Sequence, residues 1–328
     1  MRNLCRLKWL IPILAALSSC PALAQSGADN YPSRPVTMVQ PLAGGGASEI
    51  QFRLYLQSIL EKTGARFVID YKGGAGTTIG TAYVAKAAPD GYTLLQVNSA
   101  YSIAPSVYPN LPYDNVRDFA PIVLTTKDAF ILVVSPSAPY RTVAEYVAYA
   151  KEHPGELNFG TGGLGGSSHL PGEMLHFLTN TKATFIHYKS PPQRLIDLMA
   201  GRVQSAVATF GLAMGYIKSG KLRAIGVTSS QRIPVWTEMP TVAEQGVPGF
   251  DASAWGGLVA PARTPPAIIN KVNALFVAAL KDPVVAKKLE ADGTIIVGST
   301  PEQLRQHIVA ENERWRRLIR EAGLKLEE

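Results

Sequence analysis

Residues 36–50 read VTMVQPLAGGGASEI, and this stretch indicates the fold class. Its first five residues predict a short strand, and glycines at 44–46 follow within a few residues. From Ser48 to about Lys62, apolar residues recur with the period of an α-helix. A strand that passes through a glycine turn into a helix is typical of the βαβ units of α/β proteins. The stretch therefore predicts a sheet that is parallel, at least in part.

The same order of elements recurs along the chain. Further strands are predicted at 67–71, 92–97, 130–134, 157–160, 185–188, 205–208 and 222–227, and mostly helical structure from Pro265 onward. The length suits two α/β domains, and no linker rich in proline and glycine separates them. We therefore expect the chain to cross between two lobes on strands near 125–130 and 253–260. Such a hinge would allow clam-shell closure.

The first 24 residues have the pattern of a secretory signal peptide. A basic start precedes the apolar run Trp9–Leu17, and Ala22–Ala24 forms a cleavage site with small residues. The apolar run is too short for a bilayer span, and Pro12 disfavours a buried first helix. A lipoprotein signal that ends at Cys20 is an alternative interpretation. Both interpretations predict export, and we expect a periplasmic protein.

Composition excludes several classes of function. Both cysteines, Cys5 and Cys20, lie in the predicted leader, so we expect no thiolate catalysis and no cysteine-ligated metal. The net charge is +7, of which the leader contributes three positive charges, and the lysines and arginines are scattered. This distribution does not suit a nucleic-acid reader. The five histidines offer no close ligand pair, so we predict neither a metal nor a cofactor.

Three glycine-rich turns, 41–48, 72–80 and 160–169, each follow a strand and open a helix. Glycine lets a ligand approach the main chain, and a helix start offers unpaired N–H groups and the positive end of the dipole. These features suit a carboxylate or a phosphate. Hydroxyl residues stand in the same turns and could cap the helices or bind the ligand; they are Ser48, Thr77, Thr78, Ser167 and Ser168.

The third turn also has features of two other functions. Gly160, Gly162 and Gly165 match the spacing of a dinucleotide fingerprint, but no acidic residue follows about twenty positions later. Ser168 and His169 suggest a secreted hydrolase, although the chain has no nucleophile elbow. His169 could also cap its helix or touch a ligand, whereas His187, within an apolar strand, is expected in the core.

A series of short motifs occurs in a fixed order along the chain. They are Tyr31–Pro35, Pro41–Gly45, Gly73–Gly76 with Ile79–Gly80, Ala85–Leu94, Leu111–Asp114 with Asp118–Pro121, Ser167–Leu170 with Gly172–Glu173, Gly220–Ala224, Pro240–Glu244 with Gly246–Gly249, and Trp255–Pro261. Through these motifs the chain resembles, over almost its full length, the Bug-type substrate-binding proteins of tripartite tricarboxylate transporters.

The resemblance implies a two-lobed periplasmic binding protein fold of the type II kind, with parallel or mixed sheets, helices on both faces and the ligand in the interlobe cleft. We expect residues 25–127 plus 255–328 to form lobe 1 and residues 128–254 to form lobe 2. The implied function is a receptor, not an enzyme, that binds a small carboxylate and delivers it to integral membrane transporter subunits. Such receptors normally act as monomers. A ligand-sensing partner of a signalling protein is an alternative.

The resemblance also implies ligand contacts, some of them through ordered water. By motif position they are Leu42, Ala43, Gly44, Ser48, Gly76, Thr77, Thr78, Ser99, Tyr101, Thr161, Ser167 and His169. Aromatic side chains near the expected cleft add Tyr188, Phe210 and Trp255, with Phe130 beside them, unless these rings only pack in the core.

The chain departs from the family pattern at three places, one of which is the turn 162–166, whose extra glycines would leave room for a bulkier ligand. Glu49 stands where many relatives have Asp, and Ala208-Thr209-Phe210 replaces a frequent Asp-Asn pair. That Asp could receive an ammonium group, so its loss argues against a zwitterionic ligand. Thr209 joins the expected contacts. We predict an aromatic or other dicarboxylate as the ligand.

Overall fold

The computed structural model describes residues 30–42, 47–162, 168–188 and 191–324. The predicted leader lies outside these ranges, as do Ala43, Gly44 and Ser167 of the predicted site. The strands are β1 Val36–Gln40, β2 Phe67–Tyr71, β3 Thr93–Asn98, β4 Phe119–Asp128, β5 Phe130–Val134, β6 Asn158–Thr161, β7 Thr184–His187, β8 Ser205–Thr209, β9 Arg223–Val227, β10 Ala254–Pro261 and β11 Thr294–Ile296. The helices are α1 Ala47–Thr63, α2 Thr78–Ala85, α3 Ser99–Val107, α4 Val143–Glu152, α5 Leu170–Thr179, α6 Pro191–Met199, α7 Phe210–Lys218, α8 Pro266–Leu280, α9 Pro283–Ala291 and α10 Pro301–Glu321.

The strands form two mixed sheets. The first has the order β11-β4-β10-β3-β1-β2. In it β1 runs parallel to β2 and β3, β10 runs antiparallel to β3 and β4, and β11 runs antiparallel to β4. The second has the order β7-β6-β8-β5-β9. In it β6 runs parallel to β7 and β8, whereas β5 runs antiparallel to β8 and β9. The prediction of mixed α/β sheets is therefore confirmed.

Each sheet is covered on both faces. Successive residues of a strand point to opposite faces, and Met38 and Val39 of β1 are both fully buried but belong to different apolar clusters. Leu132 and Val133 of β5 divide in the same way in the second sheet. Strands that are apolar on both sides need helices on both sides. This is why the strands read as continuous apolar runs in the sequence.

The chain passes between the sheets twice. β4 ends at Asp128 and β5 begins at Phe130, and the return to the first sheet is made by β10, which begins at Ala254. Both positions fall within the predicted crossings. The lobe limits themselves stay a prediction, because α10 contacts both units: Leu304 packs in the core of the first sheet and Trp315 in that of the second. Within the described ranges, no helix combines the length and the apolar character needed to cross a bilayer.

Candidate functional site

The start of α1 lies beside the first sheet's buried Gln96. Ser48 stands in the first turn of this helix, and the Gln96 side-chain amide donates a hydrogen bond to the Ser48 hydroxyl. Gln96 is a β3 residue with 1% of its surface exposed, and its side-chain carbonyl oxygen has no partner among the described residues. Leu42, just before the helix, is exposed. Ser48 is thus held by Gln96, a strand residue that carries no local signal in the sequence.

Glu49, which departs from the family pattern, is buried and engaged within its own lobe. Its Oε1 accepts a hydrogen bond from Arg53 Nε at 2.6 Å and one from the Tyr71 hydroxyl at 2.5 Å. The carboxylate thereby joins the first turn of α1 to the end of β2. A negative charge near a helix N-terminus is stabilised by the helix dipole.

The second predicted turn holds strained backbone at the start of α2. Thr77 has φ = 83°, a left-handed conformation that is costly for a β-branched residue. Its side chain is buried, makes no cap hydrogen bond to α2, and has a hydroxyl without a partner in the described part of the chain. Gly76 also has a left-handed backbone (φ = 58°), and a Cβ there would lie 2.8 Å from the Tyr108 hydroxyl oxygen. Strain of this kind is often concentrated at functional sites. Thr78 is the first residue of α2.

The helix α3, which follows β3, was not predicted from the sequence. Asn98 caps α3 by accepting a hydrogen bond from the Ala100 N–H at 2.9 Å. The hydroxyl of Ser99, the next residue, accepts one from the Trp255 N–H at 3.1 Å. A residue at the start of α3 is therefore tied to β10, the strand that enters the first sheet.

Two of the aromatic rings assigned to the cleft are packed inside the protein. Tyr101 is 1% exposed, its hydroxyl donates to the carbonyl of Asn115 at 2.6 Å, and burial raises the pKa of this phenol well above 10. Trp255 is 3% exposed and meets the edge of His307, with 4.9 Å between ring centroids. These contacts favour the packing role for both rings.

In the second lobe, the carboxyl ends of β6 and β7 lie side by side. The Thr161 hydroxyl and His187 Nδ1 are 2.6 Å apart, and the ring of His169 lies edge-on to His187 with 5.1 Å between centroids. His169 Nε2 is 3.0 Å from a carboxylate oxygen of Glu173. Burial, and then the neighbouring His169, lower the pKa of His187. The core position predicted for His187 is wrong, because β7 is an edge strand and its last residue is exposed.

Ser168 is hydrogen-bonded to Gly162, across the third glycine turn. It accepts a hydrogen bond from the Gly162 N–H at 2.7 Å. Ser168 is buried two residues before α5 begins. Its hydroxyl oxygen is therefore engaged by the main chain of Gly162.

The remaining predicted contacts lie at the ends of β7 and β8. The Tyr188 hydroxyl donates to Asp197 at 3.0 Å, and burial raises its pKa. Thr209 is exposed at the start of α7 and makes no side-chain cap there. Phe210 packs edge-on against Trp236, with 6.1 Å between ring centroids.

Helix starts from the two lobes lie close together. Ser99 and Ile103 of α3 line a cavity of about 10 Å³ together with Leu170 and Pro171, the first two residues of α5. α3 follows a strand of the first sheet, and α5 follows a strand of the second. The starts of α3 and α5, and with them two positive dipole ends, are therefore neighbours, although the gap between them has room for only about one water molecule. Such an arrangement can bind an anion without any reactive group.

Several known proteins are similar to this chain in sequence and in fold. The profile of the tripartite tricarboxylate transporter family receptor matches residues 51–324. BugT of Bordetella pertussis is 34% identical over 99% of both chains. The periplasmic binding protein BugD superposes with a TM-score of 0.72 at 32% identity, covering 90% of this chain and 99% of its own.

Two further solved structures contain ligands. Rpa4515 of R. palustris, solved with adipate, has a TM-score of 0.74 at 32% identity and covers 89% of this chain and 98% of its own. MatC of Rhodopseudomonas palustris, solved with malate, has a TM-score of 0.71 at 31% identity, with 88% and 100% covered. These relatives are solute-binding proteins and not enzymes. From the profile match and the identities together, the chain belongs to the receptor family of the tripartite tricarboxylate transporters.

Proposed function

We propose that this receptor binds a small organic carboxylate between its two lobes and delivers it to the membrane subunits of a tripartite tricarboxylate-type transporter. The observation that carries the proposal is that the start of α3, in the first lobe, lies next to the start of α5, in the second. Because the two helices follow strands of different sheets, an anion bound by both helix starts would contact both lobes and favour their closure.

The proposed ligand contacts are residues whose main chain or hydroxyl stands at these helix starts and strand ends. They are Leu42, Ser48, Gly76, Thr77, Thr78, Ser99, Thr161, His169, Tyr188 and Thr209. Ala43, Gly44 and Ser167 stay predictions outside the described residues. We leave out the side chains of Tyr101 and Trp255, which are used in packing, and that of Phe210, which lies against Trp236 and Gly293.

The ligand is proposed to be a dicarboxylate. Two relatives of more than 30% identity have structures with the diacids adipate and malate. The aromatic version of the sequence prediction has less support, because the rings of Tyr101, Phe130 and Trp255 are buried in the packing of the lobes. We therefore favour an aliphatic over an aromatic diacid.

We further propose that the receptor works in the periplasm as a monomer. The periplasmic relatives and the predicted leader support the location. Analytical ultracentrifugation of the exported protein tests the monomer, and intact-mass analysis distinguishes a start at Gln25 from an acylated Cys20.

A thermal-shift screen tests the function. Succinate, malate, adipate, terephthalate, hexanoate and benzoate are added separately to the purified protein. A binding acid stabilises the folded state by about 2.7 kcal/mol at one hundred times its Kd, so Tm should rise by several degrees. Ser99→Ala should weaken binding, whereas Ser219→Ala, an exposed serine at the end of α7, should not. Absence of any shift across the six acids would contradict the proposal.

A further inference from the structure

One buried cation in the second lobe takes part in none of the contacts described above. Arg194 lies one turn into α6, and only 4% of its surface is exposed. Its stem packs on the backbone of Gly160: a Cβ at Gly160 would lie 3.0 Å from Arg194 Cγ and 3.3 Å from Cδ. The absence of a side chain at Gly160 thus makes room for the arginine.

The guanidinium reaches the third glycine turn. A Cβ placed on Gly162 would lie 3.6 Å from Arg194 Nη1 and 2.9 Å from the Ser168 hydroxyl. Gly162 is exposed, and Thr161 before it is one of the proposed ligand contacts. The cationic end of Arg194 is therefore buried directly beside Gly162, at the edge of the proposed binding site.

No acidic side chain of the described residues neutralises this charge. Nε and Nη1 of Arg194 are buried and lack a hydrogen-bond partner within the described ranges. Asp197, on the same helix, accepts instead from Arg202 at 2.8 Å and from Tyr188. Glu173 of α5 pairs with His169. Burial lowers the pKa of Arg194 to about 10, so the group is still a cation at neutral pH.

A buried cation without a partner is costly, and an anion that reaches it gains a strong charge-assisted hydrogen bond. The helix starts can satisfy one carboxylate of the ligand through main-chain N–H groups. The guanidinium fork, a short distance away in the same lobe, has the geometry to receive another.

We propose that Arg194 binds a second anionic group of the ligand and so makes the receptor selective for diacids over monoacids. This inference rests on the proposed function, since it assumes that a first carboxylate occupies the cleft. It assigns selectivity to a residue of the second lobe.

Matched pairs of acids test the inference by calorimetric titration. Adipate is compared with hexanoate, and terephthalate with benzoate, because each pair has the same carbon skeleton or ring and differs in one carboxylate. The wild-type protein should bind the better diacid at least roughly tenfold more tightly than its monoacid. Arg194→Gln should weaken diacid binding by roughly tenfold to a hundredfold and change monoacid binding by less than about twofold.

Variants separate ligand binding from a structural role. Arg194→Gln should leave the Tm of the ligand-free protein unchanged or higher, because it removes an unpaired buried charge, whereas a structural arginine would lower it. Arg194→Lys keeps the charge without the fork and should bind the diacid with intermediate affinity. Arg202→Gln removes the same charge from a residue already paired with Asp197 and should leave the diacid preference intact.

The outcomes distinguish the two proposals. The inference on Arg194 is overturned, and the receptor function stands, if acids bind but Arg194→Gln is as selective for diacids as the wild type. The same holds if Arg194→Gln lowers the Tm of the ligand-free protein. If no acid of either pair, nor succinate or malate, binds the wild-type protein, both are overturned.

Discussion

The ring of Phe210 lies directly against the backbone of Gly293: a Cβ on Gly293 would be 2.6 Å from Phe210 Cγ. Phe210 begins α7, which follows a strand of the second sheet, and Gly293 immediately precedes β11 of the first. The contact therefore joins the two lobes beside the crossing from β4 to β5, because Thr294 pairs with Asp128 and Thr209 pairs with Phe130. A side chain at position 293 would clash with the Phe210 ring, so this contact requires glycine there.

Gly293→Ala should destabilise the protein for two reasons. Gly293 has φ = 75°, so any side chain costs about 1 kcal/mol in backbone strain, and the clash with Phe210 adds about 1–3 kcal/mol. Gly220→Ala is the matched control, because its φ is 72° and no atom lies within 4 Å of the added Cβ. Urea unfolding of both variants measures the difference. Equal losses in the two variants would show that Phe210 does not resist the new methyl group.

Acid should destabilise the second lobe through His176. Its ring is buried, with Nε2 3.1 Å from the Tyr146 hydroxyl and Nδ1 2.7 Å from that of Thr181, and burial lowers its pKa from 6.5 to about 4. Because the folded-state pKa lies below the unfolded one, the folded state disfavours the proton. Stability is thus full above pH 6.5 and falls by up to about 3 kcal/mol as the pH drops to 4.

Unfolding at a series of pH values from 7.5 to 4.5 measures this linkage. His176→Gln should flatten the pH dependence, although the variant starts from a lower stability at pH 7.5. His307, whose pKa burial also lowers to about 4, should account for part of the slope that remains. His153→Gln, at a half-exposed surface position, serves as the control. A slope in His176→Gln as steep as in the wild type would contradict the assignment.

Arg223 should be hard to replace with lysine. Its guanidinium donates to three carbonyls of the segment after β5, those of Pro136, Ala138 and Tyr140, at 2.9–3.1 Å. An ammonium group cannot reach all three from one position, so Arg223→Lys should lower the free energy of unfolding by about 1–3 kcal/mol. Arg34→Lys, in an exposed pair with Asp90, should change it by less than about 1 kcal/mol. A loss of similar size in both variants would speak against this role for the Arg223 guanidinium.

Most of the fold could be predicted because the strands are apolar and bounded by glycine turns. The predicted limits of β1, β2 and β5 agree with the structure. α3 was missed because it is short, contains Pro105 and depends on the cap that Asn98 provides. β11 was missed because a strand of three residues carries no period of its own.

The site was predictable only where it depends on local sequence. Glycine turns and hydroxyl residues mark the helix starts, and this pattern led to Ser48, Thr77 and Thr78, whereas Thr161 followed only from the family resemblance. The bond from Gln96 to Ser48 links residues 48 positions apart and has no local signal. Arg194 looks like an exposed helix residue, and its burial follows only from the room that Gly160 leaves. The rings of Tyr101 and Trp255 show the reverse case, since aromatic residues near a cleft are equally suited to fill a core.

The helix α10 has a consequence for the architecture. Leu304 and Ile308 lie in the apolar core of one sheet, while Trp315 and Leu318, further along the same helix, lie in that of the other. Cutting the protein into two separate domains would leave one of these pairs bare, whichever fragment kept the helix. The two lobes are therefore expected to unfold in a single transition. Any opening of the cleft must keep the contacts that α10 makes with both lobes.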